Sequence, residues 1–231
     1  MKNNKDYING ILFGLMLLTL WYFSSLAIEN AVIPKVWDYF LRFATNVVGV
    51  MLGALLAFKF NRRLDSEREK KNNETNLMLA RFVLNRKLHR ITEIYNGDLI
   101  EWKNNPHAWY KMMPLQHIEM IEGNVNYDSL SFLCRTNELD LFEAFKAEEQ
   151  YAKSISVINE RSRFHSDGYQ NILTELGDYD TYEDFEKDMN TRFPKIIGDL
   201  KTSTIGTIKL SESAIAHLRS ALDRLGKIQN S

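Results

Sequence analysis

The chain has 231 residues, 29 Lys plus Arg against 30 Asp plus Glu, one cysteine, 11 Gly and 4 Pro. Near-neutral charge argues against a nucleic-acid coat, and a lone Cys134 excludes an internal disulfide or a four-thiolate zinc site. Low Gly and Pro favours long helices over a turn-rich sheet protein.

Charge is distributed unevenly, because the first 60 residues carry only five basic and three acidic side chains. From Tyr7 to Ile28 no residue is charged, and the centre of that run reads ILFGLMLLTLWYF. A helix of about 20 such residues crosses a bilayer. A second run, Phe43 to Phe58, reaches the same length if Tyr39 to Arg42 are added and Arg42 snorkels outward. The segment between, Glu29 to Asp38, contains Pro34 and is too short for a domain. The expected fold is therefore all-α: an N-terminal two-helix transmembrane hairpin (residues 1–60, spans about 8–28 and 39–58) followed by a cytoplasmic helical bundle.

Orientation follows from the basic residues. Lys35 and Arg42 lie in or beside the loop, whereas Lys59, Arg62, Arg63, Arg68, Lys70 and Lys71 follow the second span. The positive-inside rule places both termini in the cytoplasm, in a bacterial inner membrane. A cleaved signal peptide is the rival reading of the first segment, with Lys2 and Lys5 as its n-region and Ser25-Leu26-Ala27 near a cleavage point. The long apolar run favours a span, and the orientation of the second span is the same either way.

Between Gly53 and Gly97 there is neither Gly nor Pro, so the second membrane helix has no local stop signal. Asp65 to Asn76 (DSEREKKNNETN) contains no apolar residue and cannot bury a face. Residues 61–76 are read as a polar helical stalk, supported by the pairs Arg63–Glu67 and Glu67–Lys71; a flexible linker is the competing reading. From residue 77 to 231 a helical domain is expected. Leu77, Ala80, Leu84, Leu88, Ile91 and Tyr95 recur at helical spacing. Residues 98–127 carry Pro106 and Pro114 beside Trp102, Trp109, Tyr110, Met112 and Met113, a pattern for an ordered loop docked on the core. Leu130, Leu133, Leu141, Phe142, Phe145, Ala152, Ile155 and Ile158 form the next periodic run. Thr181 followed by Asp184 resembles a capping box opening a helix with Phe185, Met189, Phe193 and Ile197. Ile208, Ile215, Leu218, Leu222 and Leu225 mark a last helix with heptad-like spacing, broken at Ser211.

Little in the sequence points to catalysis. The cytoplasmic glycines are isolated, so no phosphate loop is present. His89, His107, His117, His165 and His217 show no i,i+4 pairing or HExxH pattern. His165-Ser166-Asp167 is the least poor catalytic candidate, and a helix-end reading before Gly168 is favoured over it. Asp178 and Asp180 do not start a calcium loop, because Tyr182 and Glu183 stand where an oxygen ligand and a glycine are needed. No catalytic residue, metal or cofactor is expected. Arg81, Arg86, Lys87 and Arg90 form a candidate basic patch for phosphate or an acidic partner, weighed against a plain solvated face.

The membrane segment has the more specific signal. Thr45, Gly49, Gly53 and Ala57 stand four apart, forming a stripe of small side chains that lets helix backbones approach. The stripe fits either the first span, whose Gly10 and Gly14 share the spacing, or another copy of the chain, giving a homo-oligomer in membrane lipid. Asn46 is an intramembrane polar group that needs a partner or water.

This layout resembles the two-transmembrane effectors of bacterial anti-phage systems, the retron-associated ones most of all. The resemblance runs from Ile11-Leu12-Phe13-Gly14 through Gly49 to Ala57 and Arg62-Arg63. Within the domain, Ile155-Ser156-Val157-Ile158-Asn159-Glu160-Arg161 is similar to a helix of such proteins. The resemblance implies a non-enzymatic inner-membrane toxin, restrained by a reverse transcriptase with its RNA–DNA product and released on infection. A non-toxic membrane scaffold or sensor that recruits a cytoplasmic partner fits the residues themselves equally well.

Overall fold

The structure, a computed structural model, describes residues 3–29, 36–121, 123–135, 138–176 and 179–229. Every regular element among them is helical. The chain divides into two compact units, Met1–Glu69 and Lys70–Ser231. That division falls inside the stretch expected to be a stalk.

The first unit contains α1 (Asn3–Glu29) and the opening half of α2 (Val36–Ile94). Side chains are described in α1 from Gly14 onward, where Gly14–Ala27 is an apolar helix. The start of the expected first span, together with Gly10, Lys2 and Lys5, lies outside the described side chains, as do Pro34 and Lys35 of the loop. Thr19 and Ser24 donate their hydroxyls to the carbonyls of Met16 and Leu20, at 2.8 and 2.7 Å. Each hydroxyl is thereby satisfied within its own helix. In α2 the helix from Arg42 onward is long and apolar enough to cross a membrane, and none of its apolar window is buried within the protein.

α2 is helical without interruption to Ile94, consistent with the missing Gly and Pro. Arg63 pairs with Glu67 at 3.4 Å, while Lys70 with Glu74 at 3.9 Å replaces the expected Glu67–Lys71 pair. All four side chains are exposed, so each pair is worth little.

In the second unit packing begins at Leu77. Leu77, Ala80, Leu84, Ile91 and Ile94 of α2 join one core with α4 (Glu138–Arg163) and α7 (Pro194–Gln229). α4 contributes Ala144, Ala147, Tyr151, Ile155 and Ile158, and α7 contributes Ala214, Ile215, Leu218, Ala221 and Leu225. Alanine at several of these positions keeps the opposed helix surfaces thin, so backbones can approach closely. A second cluster gathers Trp109 of α3 (Ala108–Lys111), Tyr169, Ile172 of α5 (Gln170–Glu175), Met189 of α6 (Tyr182–Arg192), and Ile197 and Leu200 of α7.

Segment 98–127 is docked as its aromatics imply, with Trp109, Met112, Ile118 and Val125 buried and Trp102 packed against the core. Neither Gly97 nor Gly168 stops a helix. Tyr95–Leu99 and Phe164–Tyr169 are π-helical turns that carry the chain onward. Phe142 and Phe145, expected inside, are 59% and 53% exposed, because the inward face of α4 runs through Ala144, Ala147 and Tyr151. Thr181 caps α6, its hydroxyl oxygen accepting the Asp184 N–H at 3.2 Å. That helix ends at Arg192, however, and Pro194 opens α7, so Phe193 and Ile197 do not belong to α6. Proline at a first helical position loses no intrahelical bond.

Candidate functional site

The small-residue stripe lies in the first unit. Thr45 is half-buried, whereas Asn46, Gly49, Gly53 and Ala57 are exposed. A Cβ built on Gly49, Gly53 or Gly14 would meet no atom within 4 Å. Among the described residues, α1 therefore does not pack into the glycines of α2. Phe43, Val50, Leu55 and Phe58 around them are exposed as well.

The basic quartet of α2 does not form one surface. Lys87 is 3% exposed and faces the core, so it is removed from the expected patch. Its ammonium pairs with Glu148 and donates to Asn124 Oδ1 at 3.3 Å, close to the Tyr151 ring. Helical phase explains the correction: Lys87 shares the inward stripe of Ala80, Leu84 and Ile91. Arg81 is partly buried, with its guanidinium beside Gly226 of α7. Only Arg86 and Arg90 are exposed, and Arg86 lies 6.0 Å from the ring of Phe82. Met78, Leu79 and Phe82 are exposed on the same helix.

The least poor catalytic candidate is structural. His165 is fully buried, its Nε2–H donating to the Tyr110 carbonyl at 3.4 Å and its ring tilted against Tyr169. Burial holds its pKa below the ordinary histidine value. Asp167 is exposed, so the two do not form a working pair. Asp178 lies outside the described residues. No three His, Cys, Asp or Glu side chains come together among the described residues.

Two features escaped the sequence reading. Arg161 is 0% exposed and has no carboxylate partner among the described residues: its Nε donates to Thr204 Oγ1 at 3.0 Å, and its Nη atoms donate to the Met112 and Met113 carbonyls. Desolvation pushes its pKa down to about 10. An arginine in a helical run carries no signal of which backbone carbonyls it will meet.

The second feature is a cleft of about 560 Å³ between α4 and the strap at 115–118. Its walls are tied together. Asn159 accepts the Ile118 N–H and donates to the Ile118 carbonyl, both at 2.9 Å. Ser162 accepts the Leu115 N–H at 3.1 Å and donates to Ile158 O at 3.0 Å. A side chain that satisfies both main-chain groups of one residue acts like a short β-ladder and fixes the strap's register.

No protein-family model matches the chain, and no curated protein or solved structure does. The functional reading therefore rests on the residues alone: an exposed apolar helix with an open glycine stripe, and a helical unit with a walled polar cleft.

Proposed function

We propose that this protein is a membrane effector of a bacterial anti-phage defence system, of retron type, which compromises the inner membrane on infection and arrests growth. One observation carries the reading: Gly49 and Gly53 lie on an apolar helix that nothing among the described residues covers, with open space where a side chain would be. In lipid, the gain from association comes from close backbone packing, and glycine on a bare helix face offers it to another copy. Spans at 8–28 and 39–58 form a hairpin with both termini in the cytoplasm. The second unit restrains association until a trigger releases it. A reverse transcriptase with its RNA–DNA product is the restraining partner that the resemblance implies, and exposed Arg86 and Arg90 offer charge to its phosphates. The activity needs no catalysis.

The test separates contact from insertion. Gly49→Ile with Gly53→Ile keeps hydrophobic length but forces facing backbones apart. Membrane insertion should survive, while crosslinked oligomer and uptake of a membrane-impermeant dye are lost. A double variant that crosslinks and admits dye like the parent removes the stripe from the mechanism. The scaffold reading draws on the exposed Met78, Leu79 and Phe82, which suit recruitment of a partner. It takes the effector's place if the parent never admits dye or depolarises cells.

A further inference from the structure

The polar cleft in the second unit lies beside one face of α4. Ser156, Glu160, Arg163 and Ser166 recur three or four residues apart there, and His117 of the strap lines the opposite wall. These five side chains make no hydrogen bond or ion pair within the described residues, in contrast to Asn159 and Ser162 behind them, which are consumed in pinning the strap. The strap is fixed by its own bonds, and the exposed polar groups that line the cleft have unused hydrogen-bonding capacity to offer a ligand.

We propose that this cleft binds a small organic phosphate monoester of nucleoside-monophosphate size. The chemistry selects it in three steps. Arg163 supplies a planar guanidinium with donors matched to phosphate oxygens, and the Ser156 and Ser166 hydroxyls add donors along the same helix face. Arg161, two residues before Arg163 on α4, is a buried cation with no counter-carboxylate among the described residues, and adds positive charge to this end of the helix. Glu160 is the discriminating group. A carboxylate in the cleft accepts from ligand hydroxyl or amine groups such as a ribose presents, and it repels a ligand with several adjacent charges. The cleft, about 560 Å³, lies in the range of small-molecule sites and is larger than a single inorganic phosphate needs. The His117 ring, on the opposite wall, offers a face for a base to stack on.

The test uses the full chain in detergent, titrated with adenosine monophosphate by calorimetry. The parent should bind saturably, and Arg163→Ala should weaken binding by about tenfold or more, the loss expected of a charge-assisted phosphate contact. Glu160→Gln should narrow the preference for the monophosphate over the triphosphate. Arg192→Ala, a change at an exposed arginine on α6, should leave binding as it is. Ser166→Ala, also at an exposed position, reads the same contact if Arg163→Ala loses its helical signal. The proposal is overturned if the parent shows no saturable binding, or if Arg163→Ala folds and binds as the parent does. It is equally overturned if Arg192→Ala loses as much, or if inorganic phosphate competes as strongly as the nucleotide.

Discussion

Lys87 of α2 and Glu148 of α4 form a buried ion pair, and Tyr127 donates its hydroxyl to the second carboxylate oxygen at 2.6 Å. The Val125 N–H reaches the first oxygen at 3.3 Å. One carboxylate thus gathers a cation, a phenol and a main-chain amide, and ties loop 124–127 to two helices. Burial, then the carboxylate, pushes the Tyr127 phenol far above its ordinary range, so it stays a donor at every working pH.

Breaking this pair should cost stability. Lys87→Met leaves Glu148 buried without its cation, a loss of about 3–5 kcal/mol. Adding Glu148→Gln removes the orphaned charge; its one amide oxygen can accept from the Val125 N–H while its amide N–H donates to the Tyr127 hydroxyl, so the double variant should be more stable than Lys87→Met alone. Thermal midpoints of the helical signal in detergent check the order. Equal midpoints for Lys87→Met and the parent would mean that the ammonium is solvated.

His165 sets an acid limit. Its folded pKa is depressed by burial, while the unfolded value is the ordinary one near 6.5. Below pH 6.5 the unfolded chain takes up a proton that the folded chain refuses, so stability falls as pH falls, until the folded pKa is reached. The slope approaches about 1.4 kcal/mol per pH unit for one proton. His165→Gln, which keeps a donor for Tyr110, should flatten the fall between pH 6.5 and 5.5. An unchanged slope in that variant would assign the proton to another group.

Ser211 interrupts the apolar spacing of α7 because it is half of a buried pair. Its hydroxyl donates to Thr207 O at 2.7 Å, so the Ser154 hydroxyl, 3.0 Å away, is the donor between the two serines. Restoring the heptad with Ser211→Leu should therefore destabilise, by roughly 1–3 kcal/mol from overpacking, with the loss of Ser154's acceptor added. A denaturation midpoint at or above the parent's would show that the site has room for leucine.

Topology is open to a direct check. On the proposed hairpin, a reporter active only in the cytoplasm, fused after Ser231, should be active, given six basic residues between Lys59 and Lys71 against Lys35 and Arg42 before them. Activity of a periplasmic reporter at the same point would reverse the orientation.

The all-helical character was legible because it depends on composition and on periodicity, which Leu77, Leu84 and Ile91 report without knowledge of their neighbours. The capping role of Thr181 was legible for the same reason, since both partners lie within one turn. Lys87, Phe142 and Phe145 were not. Periodicity names a face but cannot say which of two faces on a mixed helix is inward, and α4 chose alanines over phenylalanines so that its neighbours could approach. Arg161 and the cleft depend on contacts across more than 40 residues of chain. A single sequence has no local sign of such pairings.

The two π turns, Tyr95–Leu99 and Phe164–Tyr169, have a consequence for how this chain tolerates change in length. Each holds one residue more than an α-turn would, so removing that residue closes the wide turn to ordinary pitch while the residues beyond it keep their facing, whereas a deletion within regular α-helix turns everything beyond it by about 100°. Deleting Gly97 should leave Trp102 against the core, and deleting Gly168 should leave Tyr169 and Ile172 against Trp109. Single-residue deletions elsewhere in α4 would shift the same residues with no wide turn to absorb them. The glycine-bearing turns are thus the places where this protein's register is adjustable, and a deletion scan across 138–176 should find its most tolerant point between Phe164 and Tyr169.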